Sequence, residues 1–145
     1  VNIAGATVLV TGGRSGLGAA CVRAVVERGG RVLSADIAPS ETSSAPEWAD
    51  RVRAVPCDVT SEEAVQSVLD NWPAGWGPLR GVVHCAGILH AERLVGREGP
   101  ASLAAFRRVI EVNLIGTFNV CRLAAAAMMH NEPGEEGERG VIVLT

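Results

Sequence analysis

The amino-acid sequence predicts an α/β chain built on a doubly wound parallel sheet. Three observations carry that expectation. Short apolar runs alternate with stretches of helical periodicity along the whole chain. A glycine-rich turn, Thr11-Gly12-Gly13-Arg14-Ser15-Gly16-Leu17-Gly18, joins the first apolar run to the first helical stretch. An acidic residue, Asp36, then closes the second apolar run.

The strand assignments rest on composition. Ala6–Val10, Arg31–Asp36, Arg51–Cys57, Leu79–His84 and Gly140–Thr145 are short and rich in Val, Leu and Ile. Continuous apolar runs of this kind suit strands covered on both faces of a parallel sheet. The first helix is expected from Gly16 to Arg28, stopped by Gly29-Gly30. Thr60 or Ser61 can cap the second, with Glu62 and Glu63 in its first turn, where the helix dipole favours acids; it ends near Pro73. The longest runs from Ser102 to Met129. The expected order is β-α-β-α-β-α-β-α-β with right-handed crossovers. Pro39–Ala49 and Asn131–Arg139 have the polar, Pro- or Gly-containing make-up of surface loops.

Composition bounds the function classes. At 145 residues the chain suits a single domain, residues 1–145. A net charge of −3 gives no electrostatic case for a nucleic-acid or anionic-membrane partner. The apolar runs are interrupted, so none is expected to span a bilayer, and the first residues lack the pattern of a signal peptide. Cys21, Cys57, Cys85 and Cys121 are widely spaced and match no metal motif, so no metal site is expected. They read as reduced thiols of a cytoplasmic protein. All 13 basic residues are arginine, and the chain contains neither lysine nor tyrosine.

The candidate site begins at the glycine turn. Gly12, Gly16 and Gly18 let the backbone turn sharply and approach a phosphate, and the helix start at Ser15, Gly16 and Leu17 offers free N–H groups and a positive dipole end. A tight strand–helix connection without a ligand would use the same glycines. Asp36 can accept hydrogen bonds from both hydroxyls of an adenosine ribose and would repel a 2′-phosphate. Two like charges about 4 Å apart near a surface repel by roughly 4 kcal/mol, which favours NAD over NADP. Arg14 is the discordant residue, because a cation in the turn could assist that phosphate. Asp58, after the third strand, can accept from an adenine amino group or can cap the helix at Ser61. Cys85-Ala86-Gly87, after the fourth strand, is small enough for backbone to lie against a nucleotide. Asn113 is expected mid-helix, where Asn is intrinsically unfavourable, and reads either as a catalytic residue or as a structural one. His84, His90 and His130 have no partner at metal or triad spacing. His84 reads as a strand residue, and His90 and His130 as surface or rim residues.

Taken together, these residues resemble the short-chain dehydrogenase/reductase family. Thr11-Gly12-x-x-x-Gly16-x-Gly18, Asp36, Asp58-Val59, Cys85-Ala86-Gly87 in place of the usual Asn-Ala-Gly, and Asn113 fall in family order and spacing across essentially the whole chain. Within the family the chain looks most like the type II 3-hydroxyacyl-CoA dehydrogenases. The Cys-Ala-Gly triplet, the extended stretch from Ile88 to Phe106, and the Asn131-Glu132-Pro133-Gly134 segment with Arg139-Gly140-Val141-Ile142 carry that finer likeness.

The resemblance implies a Rossmann-like sheet, truncated after its fifth strand, and an NAD-dependent oxidoreductase acting on an alcohol, a ketone or an acyl-CoA substrate. It implies pyrophosphate contacts at Ser15, Gly16 and Leu17, ribose at Asp36, and adenine at Asp58 and Val59. Cys85, Ala86 and Gly87 would line the ribose region. Asn113 would support a proton-relay water, and the full-length protein would be a homo-tetramer. The family's chemistry also needs a Ser and a Tyr-x-x-x-Lys as acid/base machinery. These 145 residues hold no Tyr or Lys, so that machinery is expected after Thr145, with this chain as the N-terminal part of a longer dehydrogenase. A non-catalytic dinucleotide-binding or interaction module is the competing expectation. A Rossmann-like methyltransferase is disfavoured by the glycine spacing and by the Asn113 segment.

Overall fold

A computed structural model describes residues 2–38, 46–97 and 99–145. Its main sheet has five parallel strands: β1 (Thr7–Thr11), β2 (Arg31–Asp36), β3 (Val52–Pro56), β4 (Leu79–His84) and, after a two-stranded hairpin of β5 (Val95–Gly96) and β6 (Gly99–Pro100), β7 (Val141–Leu144). The spatial order is β3-β2-β1-β4-β7, and every pairing in it is parallel. Strand order therefore reverses between β1 and β4, the switch point at which doubly wound sheets open a crevice beyond their strand ends.

The two faces of the sheet carry separate cores. Helix α1 (Gly16–Glu27) lays Val22, Val25 and Val26 against Val8, Val10 and Val32. On the other face, α2 (Glu62–Asp70) and α4 (Thr117–Met128) cover Leu9, Leu33 and Val82 with Val65, Val68, Val120, Ala124 and Met128. Successive strand residues point to opposite faces, so neighbouring Val8, Leu9 and Val10 serve both cores.

Local chemistry sets the helix ends. Gly29 has φ +82°; its N–H reaches the Val26 carbonyl at 2.9 Å, while the Gly30 N–H reaches that of Val25 at 3.0 Å. That double closure is a Schellman stop, which needs a left-handed residue. Ser61, rather than Thr60, caps α2 by accepting from the Ala64 N–H at 3.1 Å. Ser102 likewise caps α3 (Leu103–Ile110), accepting from the Ala105 N–H at 3.2 Å.

Four expectations need correcting. No α-helix joins β2 to β3 among the described residues: residues 39–45 of the expected loop lie outside them, and Pro46–Trp48 form a single 3-10 turn. The helix expected over Ser102–Met129 is interrupted by a π-helical segment, Glu111–Gly116, between α3 and α4. The last strand is expected to be buried, yet Val141, Val143 and Leu144 are exposed, and among the described residues β7 pairs with β4 alone, at the sheet edge. Finally, the stretch Leu103–Met128 is long and apolar enough, by length and composition, to cross a membrane. Its second half packs on the sheet, which is how a core helix of an α/β domain behaves.

The loop after α4 is polar as expected but tied down. Asn131 is buried, and its Nδ2 donates to the carbonyls of Leu79 at 2.7 Å and Arg139 at 2.8 Å. Arg139 returns a hydrogen bond to the Asn131 carbonyl. The polar turn thereby fixes the approach of β7 to β4.

Candidate functional site

A cleft of about 410 Å³ opens at the C-terminal ends of the strands, across the β1/β4 switch point. Its walls come from the turn after β1, the ends of β2 and β3, the segment after β4, and one face of α3 and the π-helical segment. Gly12, Ser15, Gly16, Leu17, Gly18, Asp36, Asp58, Val59, Cys85, Ala86 and Gly87 all line it. Residues separated by more than seventy positions in sequence thus share one concavity.

The glycine turn has different reasons for its different glycines. A Cβ on Gly12 (φ +67°) would lie 2.8 Å from the backbone of Cys85 and Ala86, so this glycine lets β1 and the segment after β4 touch. A Cβ on Gly18 would lie 2.0 Å from the Gly12 carbonyl oxygen, so this one lets α1 pack under the turn. Gly16, by contrast, has φ +54° and nothing within 4 Å of its would-be Cβ. It leaves an open cradle at the start of α1. Ser15 is the N-cap, but its side chain makes no capping bond, and no acidic residue occupies the first turn. The first N–H groups of α1 and its positive dipole end are left for a ligand. Backbone donors beside an open glycine fit a pyrophosphate.

Asp36 stands at the end of β2 with each oxygen held by backbone. Oδ2 accepts from the Arg14 N–H at 3.2 Å, and Oδ1 from the Ala38 N–H at 3.2 Å. A carboxylate oxygen can take about two hydrogen bonds, so the pair is oriented and still has acceptor capacity for ribose hydroxyls. Arg14 therefore anchors Asp36 through its main chain.

Asp58 uses Oδ1 twice, accepting from the Thr60 hydroxyl at 2.7 Å and the Thr60 N–H at 2.9 Å. These bonds, the hydroxyl first, hold its carboxyl below the usual carboxylate range, with a smaller contribution from Arg108. Asp58 shapes the turn before α2 while Ser61 does the capping, so the expected capping role of Asp58 falls to Ser61. Behind it, the Val59 carbonyl accepts from Nδ2 of the buried Asn119 at 2.9 Å. Burial, then the Asp58 charge, pushes the Cys57 thiol up to about 11, and burial also raises Cys85.

Asn113 does not line the cleft. It sits in the π-helical segment, where its Oδ1 accepts from the Ile88 N–H at 2.9 Å and its Nδ2 donates to the Ile88 carbonyl at 2.9 Å. Each end of the amide holds one backbone group of Ile88, which pins the chain leaving β4. π-helical segments recur at functional sites because they break the regular ladder and re-aim side chains.

Several lining residues were not foreseen. Ile37 and Ile88 adjoin expected ones, but Arg108 and Val112 enter from the long helix, and nothing in a helical sequence says which face meets the cleft. Of the supporting residues, His84 and Asn119 are buried, and Thr117 hydrogen-bonds both His84 and the Asn113 carbonyl. A polar residue ending an apolar run was the available signal for His84. Among the described residues no group of three metal-ligating side chains occurs. The acids lining the cleft, Asp36 and Asp58, both hold backbone N–H groups of neighbouring turns.

The chain also resembles known proteins in sequence and fold. The short chain dehydrogenase family pattern matches residues 6–145. The chain is 42% identical to 3-hydroxyacyl-CoA dehydrogenase type-2 of Drosophila melanogaster over 146 residues, covering 99% of this chain and 57% of that protein. It is 38% identical to the Homo sapiens protein of the same name over 147 residues, covering 99% and 56%. The crystal structure of 3-hydroxyacyl-CoA dehydrogenase type-2 from Mycobacterium avium superposes with a TM-score of 0.85 at 39% identity, covering 97% of this chain and 56% of that one. The chain thus spans about half the length of the relatives it matches.

Proposed function

The chain belongs to the short-chain dehydrogenase family, and from that premise we propose that it forms the NAD-binding part of an oxidoreductase interconverting a secondary alcohol and a ketone. The observation that carries the reading is the open cradle at Gly16, flanked by the uncapped start of α1 and by the oriented Asp36 carboxylate. The relatives' names favour a 3-hydroxyacyl-CoA as the alcohol substrate.

When bound, the nicotinamide supplies hydride transfer. The residues of this chain bind and orient. The backbone N–H groups of Ser15, Gly16 and Leu17 hold the pyrophosphate, with Gly12 and Gly18 shaping the turn. Asp36 takes the adenosine ribose hydroxyls and rejects a 2′-phosphate. Asp58 and Val59 meet the adenine, and Cys85, Ala86 and Gly87 line the ribose region. Asn113 acts as a positioning residue through Ile88. The reading assigns the acid/base Tyr and Lys to residues outside these 145, as the N-terminal part of a longer dehydrogenase would require. A homo-tetramer and a cytoplasmic location belong to the same reading.

Calorimetric titration with NAD and NADP tests it. NAD should bind more tightly than NADP. Asp36→Ala should weaken NAD roughly tenfold or more, as expected for losing hydrogen bonds to a charged acceptor, and should narrow the preference. A protein that binds neither dinucleotide overturns the proposal. The lack of Tyr and Lys favours a second reading, a non-catalytic dinucleotide-binding module. Oxidation of a 3-hydroxyacyl-CoA by the protein would eliminate it.

A further inference from the structure

A line of hydrogen bonds runs behind the cleft from one wall to the other. His84, the last residue of β4, is only 2% exposed. Its Nδ1 lies 2.8 Å from the Thr11 hydroxyl, and its Nε2 lies 2.9 Å from the Thr117 hydroxyl. The Thr117 hydroxyl is also 2.6 Å from the Asn113 carbonyl. At the other end, the Ala86 N–H points at the Thr11 hydroxyl oxygen, 3.3 Å away.

Proton counting sets the direction of the line. A carbonyl only accepts, so the single proton of Thr117 goes to Asn113. The Thr117 oxygen must then accept from Nε2, which therefore carries a hydrogen. A neutral imidazole has one N–H, so Nδ1 accepts, and its donor is the Thr11 hydroxyl. The Thr11 oxygen is left to accept from Ala86. Every donor finds one acceptor. A doubly protonated ring would turn two donors onto the Thr11 oxygen and leave the Thr11 proton without its present acceptor. Burial acts in the same sense, lowering the His84 pKa below its ordinary value.

The ends of this line matter for the cleft. Thr11 immediately precedes Gly12, and Asn113 grips Ile88 at both its N–H and its carbonyl. The segment from Cys85 to Ile88 is thus held at Ala86 by the β1 side and at Ile88 by the helix side. His84 joins the two grips. We propose that His84, as the neutral Nε2–H tautomer, is a positioning residue that ties the glycine turn to the Asn113 turn and fixes the Cys85–Ile88 segment for the dinucleotide, an inference that rests on the dinucleotide reading of the cleft.

Two measurements on the protein test this. Nitrogen NMR of histidine-labelled protein at pH 7, with His84 assigned by its loss in His84→Gln, should show a neutral ring protonated at Nε2. A ring protonated at Nδ1, or at both nitrogens, overturns the assignment. Thr117 lies outside the cleft lining, so NAD affinity of its variants separates positioning from mere packing. Thr117→Val should weaken NAD roughly three- to tenfold, the scale of one lost hydrogen bond, and Thr117→Ser should restore it. The effects of Thr11→Val and Thr117→Val on affinity should be non-additive when His84 is present and additive in a His84→Gln background. Unchanged NAD affinity in both Thr117→Val and His84→Gln overturns the positioning role while leaving the dinucleotide reading standing. Failure of the unaltered protein to bind NAD overturns the dinucleotide reading and the positioning role together, and the tautomer then still decides whether the line of bonds exists.

Discussion

Gly16 and Gly18 are two residues apart, yet the structure gives them opposite reasons to be glycine. Gly18 is confined by the Gly12 carbonyl, so Gly18→Ala must push backbone apart. Overpacking of this kind costs roughly 1–3 kcal/mol, and the midpoint of urea unfolding should fall accordingly. Gly16 has free space around it, so Gly16→Ala should cost only the left-handed conformation, on the order of 1 kcal/mol. Its methyl would nonetheless fill the phosphate cradle, and NAD affinity should fall by more than stability does. A Gly16→Ala protein that binds NAD normally would show that the cradle holds no phosphate. The spacing of the glycines was legible in the sequence; their separate roles were not, since both depend on what lies across the turn. Asp36 was legible because it ends a strand at a fixed distance from the turn. Arg108 was not, because its place in the cleft depends on the rotation of a helix that no local pattern records.

At the scale of elements, the borders were read well wherever backbone chemistry decides them. The Gly29-Gly30 stop needed no tertiary information, and the cap of α2 was narrowed to Thr60 or Ser61, of which the structure uses Ser61. Ser61→Ala should therefore cost about 1 kcal/mol in denaturant unfolding, as capping serines generally do, with NAD affinity little changed. A loss below a few tenths would mean that the Ala64 N–H finds another acceptor. The π-helical segment Glu111–Gly116 escaped sequence reading because Asn113 and Gly116, poor helix formers by type, read equally as isolated residues inside a regular helix. Two contacts flank it in the fold. A Cβ on Gly116 would lie 2.7 Å from the Val59 side chain, and the Thr117 hydroxyl takes the Asn113 carbonyl. The hairpin of β5 and β6 escaped for a simpler reason: two-residue strands have no periodicity. The exposure of β7 escaped because an apolar run reads the same at the edge of a sheet as at its centre.

At the scale of the molecule, polarity is distributed unevenly. Leu103, Phe106, Ile110, Leu114 and Phe118 recur every three or four residues along the long helix, and all are exposed. α3 buries none of its own residues. Exposed apolar surface of this extent marks an association face. The protein should self-associate in light scattering, and Phe118→Glu should reduce its mass; a monodisperse monomer at high concentration would count against that. The cleft carries the opposite implication. Its walls come from segments between Gly12 and Val112, so a dinucleotide bound there would touch the ends of β1, β2, β3 and β4 together, and global unfolding would release it. At a free NAD concentration one hundred times the dissociation constant, that linkage adds about 2.7 kcal/mol to the unfolding free energy. Scanning calorimetry should therefore show one transition, displaced upward as a unit when NAD is added. The topological crossing between β1 and β4 thus makes melting of the entire sheet a gauge of occupancy.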